Sequence, residues 1–175
     1  MSSVATIKRN IIPPHLEVKG GYPLSGVLKV SGAKNSSLAL MAASLLTKEK
    51  LLIKNVPQLT DIEVMSEILR NLGAKLTKTN NSIEINSESI HNVELPYQLV
   101  HSLRASFFCV GPLLTRLGEA KIPLPGGCNI GARPVDEHIN GLKALGAEVE
   151  VINDVVKAQV STKDKRLRGA NITLK

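Results

Sequence analysis

The residues from Pro125 to Pro134, Pro-Gly-Gly-Cys-Asn-Ile-Gly-Ala-Arg-Pro, concentrate more reactive chemistry than any other stretch of the chain. Its three glycines let the backbone approach a ligand closely. Pro134 suits the first position of the helix that follows, whose open N–H groups would then face the loop beside Arg133. Positive dipole, unpaired N–H groups and a guanidinium make an anion site. The same surroundings favour thiolate, so Cys128 is a candidate acid, base or nucleophile. The alternative is a small loop cysteine without a chemical role. Cys109 sits in the apolar run Phe107-Phe108-Cys109-Val110, where a buried, inert thiol is expected.

A second candidate is Ser31-Gly32-Ala33-Lys34-Asn35, a turn leading into a helix rich in Ala, Leu and Met. Cations are favoured at the C-terminal end of a helix, so Lys34 at the N-terminal end suggests an anion held between lysine and helix; the alternative is a solvated lysine. Asn35 can contact the same ligand or cap the helix. The spacing is not that of a P-loop. Arg104 opens another apolar helix at the position matching Asn35, where a charge is either paired or a ligand contact. Asp136 and His138 follow Pro134, and Asp136 suits the N-terminus of its helix. The four histidines and two separated thiols show no metal-ligand spacing.

The elements that must position these residues follow from composition and periodicity. The chain has 175 residues, is 43% apolar, and suffices for one domain with a core. Only Tyr22, Tyr97, Phe107 and Phe108 are aromatic, so Leu, Ile, Val and Ala must fill that core. The net charge of +7 favours anionic partners. Too few aromatics interleave with the basic residues for single-stranded nucleic acid, and no basic amphipathic helix fits a membrane surface. A phosphate-bearing metabolite is the better match. Residues 1–14 read as a loose leader without a signal-peptide core, and two cysteines suit a reducing cytoplasm.

Short strands are expected over His15–Lys19 and Gly26–Val30, then an apolar helix over Ser36–Leu46 and a strand over Leu51–Lys54. An amphipathic helix over Asp61–Leu72 presents Ile62, Met65, Ile68, Leu69 and Leu72 on one face and stops at Gly73. A hairpin follows over Lys75–Thr79 and Ser82–Asn86. The order recurs: apolar helix Leu103–Leu114, strand Ala120–Leu124, helix Val135–Leu145, stop at Gly146, and hairpin Glu148–Ile152 with Val155–Val160 across Asn153-Asp154. Leu72-Gly73-Ala74 returns as Leu145-Gly146-Ala147, a period of 73 (145 minus 72). The sequence thus duplicates an α/β unit. The second copy has extra residues between its strand and second helix, and they fall in the cysteine loop 125–134, where function tends to be grafted onto a repeated scaffold.

These motifs resemble the enolpyruvyl UDP-N-acetylglucosamine transferases: Ser31 to Asn35, Leu103-Arg104-Ala105-Ser106, and the run from Leu124 through Asp136 with His138. The resemblance extends from about His15 onward. The enolpyruvyl-shikimate-phosphate synthases share the fold but lack the cysteine loop. The resemblance implies an α/β fold of the inside-out barrel type, with repeated βαβαββ units and apolar helices inside. This chain would hold about two of six such units: residues 34–100, then 101–175, with 15–33 belonging to the other domain. It implies transfer of the enolpyruvyl group of phosphoenolpyruvate to the 3-hydroxyl of UDP-N-acetylglucosamine, without metal or organic cofactor. Lys34, Asn35, Cys128 and Arg133 would bind phosphoenolpyruvate, with Cys128 as the acid. Arg104, Arg133, Pro134, Val135, Asp136 and Glu137 would bind the UDP sugar.

The family is longer than this chain. Its third unit, its aspartate base for the sugar hydroxyl and its Ser-Val-Gly nucleotide-contact motif are expected beyond Lys175. Two readings stay open: part of the transferase, inactive alone, or a non-catalytic UDP-sugar-binding or complementing module.

Overall fold

The computed structural model describes residues 16–126, 134–161 and 166–173. The chain divides into two compact units, residues 1–30 and 31–175. In the first unit, residues 16–30 carry no strand, against the two short strands expected there. Extended backbone becomes a strand only when its N–H and C=O groups enter a ladder, and residues 16–30 enter none. Leu16, Val18, Val27 and Leu28 are exposed accordingly. His15 and the leader 1–14 lie outside the described residues.

The second unit holds the duplication. Its first copy runs α1 (Lys34–Ala43), a 3-10 turn (Ser44–Leu46), β1 (Lys50–Lys54), α2 (Thr60–Asn71), β2 (Lys75–Lys78) and β3 (Ser82–Asn86). The second runs α3 (Tyr97–Ser102), a 3-10 segment (Arg104–Cys109), α4 (Val110–Leu117), β4 (Glu119–Pro123), α5 (Asp136–Ala144), β5 (Ala147–Ile152) and β6 (Val155–Val160). Each copy builds one three-stranded antiparallel sheet with its last strand in the middle, β1-β3-β2 and β4-β6-β5. In the second copy, Glu94 adds a one-residue parallel bridge to Lys121 on β4, the trace of a leading strand.

The stop signals work as their residue types require. Gly73 and Gly146 take φ of 104° and 92°, the left-handed region that ends a helix at low cost for glycine. Asn153 and Asp154 both have positive φ, the backbone of a two-residue hairpin turn whose twist suits the flanking strands. Alternation then buries one face of each sheet: Ile53, Ile83 and Ile85 in the first, Ala120, Ile122, Val156 and Ala158 in the second. The expected face of α2, from Ile62 through Leu72, is buried in full.

Two helices depart from expectation. The run 103–114 is not one helix. Leu103 is extended, residues 104–109 wind as 3-10, and α4 starts only at Val110. Pro112 has no N–H to donate and fits only near a helix start, so the α-helix restarts two residues before it. Helix α1 is apolar almost all round but buried on one face only, through Leu38, Met41 and Ala42. Leu40 and Leu46 are 49% and 54% exposed, because no described element covers that side. Apolar composition sets what a helix can bury; its neighbours decide what it does bury.

The two copies meet through their helices. Helix α1 packs on α2 and on the 3-10 segment 104–109, and α4 packs on the 3-10 turn 44–46. Arg116 on α4 fastens this contact. Its Nη1 donates to the carbonyls of Leu45 at 3.0 Å and Thr47 at 2.7 Å, and its Nη2 to Glu88 at 3.2 Å. Carbonyls at the end of a helical turn have no intrahelical partner, so the guanidinium satisfies those of Leu45 and Thr47 and adds the loop carbonyl of Glu88. We expect Arg116→Leu to lower stability by about 1–3 kcal/mol. Arg116→Lys should recover only part of it, since a single ammonium cannot span three carbonyls. Urea denaturation of the parent and both variants measures this; a midpoint for Arg116→Leu equal to that of the parent would contradict the assignment.

Candidate active site

The start of α1 and the start of the 3-10 segment face one cavity of about 430 Å³. From the first copy come Lys34, Asn35 and Asp61; from the second come Arg104, Val135 and His138. Lys34, Asn35 and Arg104, singled out by type and position, thus converge across the duplication with Val135, to which only the family resemblance gave a role. A second cavity of about 440 Å³ shares Val135 in its lining with Leu124, Pro125, Pro134, Asp136, Ile139 and Val151. It is mostly apolar with one carboxylate.

Lys34 is the first residue of α1, and Ala33 occupies the cap position with no side-chain cap. Asn35 is therefore not the cap, which removes the alternative role considered for it. The first turn of α1 contains no acidic residue, so its dipole and leading N–H groups are left for another partner. Lys34 is not simply solvated either: its Nζ lies 2.6 Å from the carboxylate of Asp61 in the first turn of α2. Sequence reasoning assigned Asp61 only to opening α2. Nothing local pairs it with Lys34, because the two meet only when α1 packs on α2.

Gly32 sets the path into α1. A Cβ there would fall 1.7 Å from the backbone oxygen of Asn55, a position no side chain can occupy. The glycine in this turn is needed for packing of the chain against itself.

The ends of the cysteine loop are held by three contacts. The N–H of Leu124 donates to the carbonyl of Asp154 at the β5–β6 hairpin tip, at 2.7 Å. Gly126 approaches His101 so closely that a Cβ would meet the His101 carbonyl at 2.7 Å. Arg104 donates from Nη2 to the carbonyl of Pro134 at 3.3 Å. Arg104, for which a partner or a ligand was expected, is thus partly engaged by the residue that closes this loop. Pro134 does not begin the helix, as the sequence suggested: α5 starts at Asp136 with Val135 at the cap position. Pro134 instead presents its carbonyl to Arg104, and Asp136 and Glu137 take the first turn, where carboxylates meet the helix dipole. His138 stands edge-on to Phe107, ring centroids 5.4 Å apart. Residues 127–133, and with them Cys128 and Arg133, lie outside the described residues.

Cys109 is fully buried, and burial pushes its thiol up to about 12. It is therefore protonated, and unreactive, across the range in which an ordinary thiol titrates. Among the described residues, no helix is long and apolar enough to cross a membrane.

Two outcomes follow. Gly32→Ala should melt well below the parent, whereas Gly141→Ala in α5, where a Cβ meets nothing within 4 Å, should gain about 0.5–1 kcal/mol. Limited alkylation with iodoacetamide at pH 8, followed by peptide mapping, should label Cys128 before Cys109; faster labelling of Cys109 would contradict its burial.

Several known proteins resemble this chain. It is 95% identical over all 175 residues to the UDP-N-acetylglucosamine 1-carboxyvinyltransferases of Prochlorococcus marinus strains NATL2A and NATL1A. The chain spans 38% of the length of these relatives. Among solved structures, the enolpyruvyl transferase NikO from Streptomyces tendae superposes with a TM-score of 0.69 at 23% identity, over 85% of this chain and 32% of that one. EPSP synthase from Acinetobacter baumannii does so with a TM-score of 0.55 at 18% identity, over 74% and 31%. At these identities the likeness is one of fold, and the fold is that of the enolpyruvyl transferases. The duplicated sheets and helices, and the match of residues 18–175 to a single family description, lead to one conclusion: the chain belongs to the EPSP synthase (3-phosphoshikimate 1-carboxyvinyltransferase) family.

Proposed function

We propose that this chain carries substrate-binding groups of an enolpyruvyl transferase that joins phosphoenolpyruvate to the 3-hydroxyl of UDP-N-acetylglucosamine and releases phosphate. The observation that carries this reading is the shared cavity: Lys34 and Asn35 from one copy and Arg104 and Val135 from the other. Two cations beside an uncapped helix start suit a small ligand bearing phosphate and carboxylate groups. The nearly identical relatives are named for UDP-N-acetylglucosamine, which favours that acceptor over a shikimate phosphate.

In this reading the sugar hydroxyl adds to C2 of phosphoenolpyruvate while C3 gains a proton. C3 then loses a proton as phosphate leaves C2, which restores the double bond in the ether product. Lys34, with Asn35 and the N–H groups of α1, holds the phosphoenolpyruvate anion; Arg133 adds a second cation. Cys128 supplies the proton to C3 as general acid. Arg104 acts from the sugar side, and the Pro134–Glu137 stretch, of which Pro134, Val135 and Asp136 line the second cavity, receives the nucleotide sugar. Charge-assisted contacts orient both substrates and hold the departing phosphate. The product is a peptidoglycan precursor, so the enzyme would serve cell-wall synthesis, and with it cell shape and division, in the cytoplasm.

Calorimetric titration of the chain with phosphoenolpyruvate, UDP-N-acetylglucosamine and 3-phosphoshikimate tests this. Binding of the first two and not the third is expected; the reverse preference for acceptor would overturn the reading. Lys34→Ala should weaken phosphoenolpyruvate by about one to two decades, matching about 1.5–3 kcal/mol for a charge-assisted contact, with a smaller effect on the UDP sugar. Unchanged phosphoenolpyruvate affinity would remove Lys34 from the site.

A further inference from the structure

We propose that Asp61 is a built-in competitor for the anion site: it holds the Lys34 ammonium, and a substrate anion must take the lysine from it. This rests on the reading of Lys34 above and adds a residue to which that reading gives no role. The Nζ of Lys34 is 2.6 Å from Oδ2 of Asp61, and both side chains line the same cavity. Of the described residues lining it, Asp61 is the one carboxylate, set against Lys34 and Arg104.

Two structural explanations for the pair fail. Asp61 does not cap α2, which has Leu59 at its cap position and no side-chain cap. Nor is Asp61 needed alone for the dipole of α2, since Glu63 shares the first turn. The contact is also unsuited to holding the helices together. Lys34 and Asp61 are 46% and 34% exposed, and exposed ion pairs are weak. The packing of α1 on α2 fixes the two backbones while leaving the side-chain contact easy to exchange.

A weak, fixed competitor raises the threshold for anion binding. A carboxylate carries one charge, and a phosphate monoester carries close to two near neutral pH. A singly charged anion gains little by displacing Asp61 from Lys34. A phosphate gains the lysine, and can use the open N–H groups of α1 as well. Asp61 then lowers the affinity of every anion at the site, while the proper ligand recovers the loss through contacts that simple anions lack. Asp61 thus sets how strong an anion's contacts must be before it occupies the site.

Inorganic phosphate is the probe, titrated into the 175-residue chain and followed by calorimetry. Asp61→Asn keeps the shape and removes the charge. It should bind phosphate about two- to fivefold tighter, the fold-change that corresponds to an exposed pair. Asp61→Glu should stay near the parent. Lys34→Ala should weaken phosphate, and adding Asp61→Asn to it should recover less than Asp61→Asn gains alone. As a check independent of any variant, the Asp61 side-chain carboxyl resonance of the unmodified chain should shift as phosphate binds. Weakened or unchanged phosphate binding in Asp61→Asn, or an unmoved carboxyl resonance at saturation, overturns the proposal. If Lys34→Ala leaves phosphate affinity unchanged, the reading of Lys34 fails first; if it weakens phosphate while Asp61→Asn does not tighten it, the competitor role alone fails.

Discussion

The contact between the two copies, helix against helix, is the constraint on which the rest of the second unit depends. Each copy brings a three-stranded sheet with one apolar face and helices to cover it. Arg116 fastens one end of the joint by donating to carbonyls at the close of the first copy's leading helix and beyond its hairpin. The other end is made by packing of α1 on the 3-10 segment 104–109, whose Arg104 holds the Pro134 carbonyl within the second copy. Between them the start of α1 is set against the start of the 3-10 segment, and a cavity opens where both helical starts point. The candidate site is therefore a consequence of the joint and belongs to neither copy alone.

Electrostatics at that joint is unbalanced by design of the backbone. A helix start without a cap, a lysine and an arginine converge on one space. Such a site attracts anions indiscriminately unless something opposes them. The Asp61 carboxylate is the opposing charge available among the lining residues, and it arrives from a third element, α2. Attraction and opposition at this site thus come from different helices.

The cysteine loop shows how a repeated scaffold accepts an insertion. Its first foot is tied to a hairpin tip through Leu124 and Asp154, and Gly126 lies tight on His101. At its second foot Arg104 holds the Pro134 carbonyl before α5 begins. The glycine requirement at position 126 comes from the protein itself, where a ligand had been the expected cause. Restraint at both ends lets a loop carry reactive groups without unravelling the strand and helix it connects.

Local rules sufficed for much of this protein. Gly73 and Gly146 as helix stops, the hairpin across Asn153-Asp154, the buried face of α2 and the 73-residue duplication all depend on neighbouring residues or on periodicity, so the sequence determined them directly. It also marked Lys34, Asn35 and Arg104 as candidate contacts, and the cavity they share follows from helix packing. Tertiary structure decided what those rules omit. The pairing of Lys34 with Asp61 spans two helices and has no local signature. The restart at Val110 reflects Pro112, which the apolar run around it concealed. Residues 16–30 have the composition of strands, yet strands need ladder partners, and composition names none. The exposed side of α1 makes the same point: a sequence fixes which surfaces are apolar, and only the arrangement of neighbouring elements fixes which of them leave water.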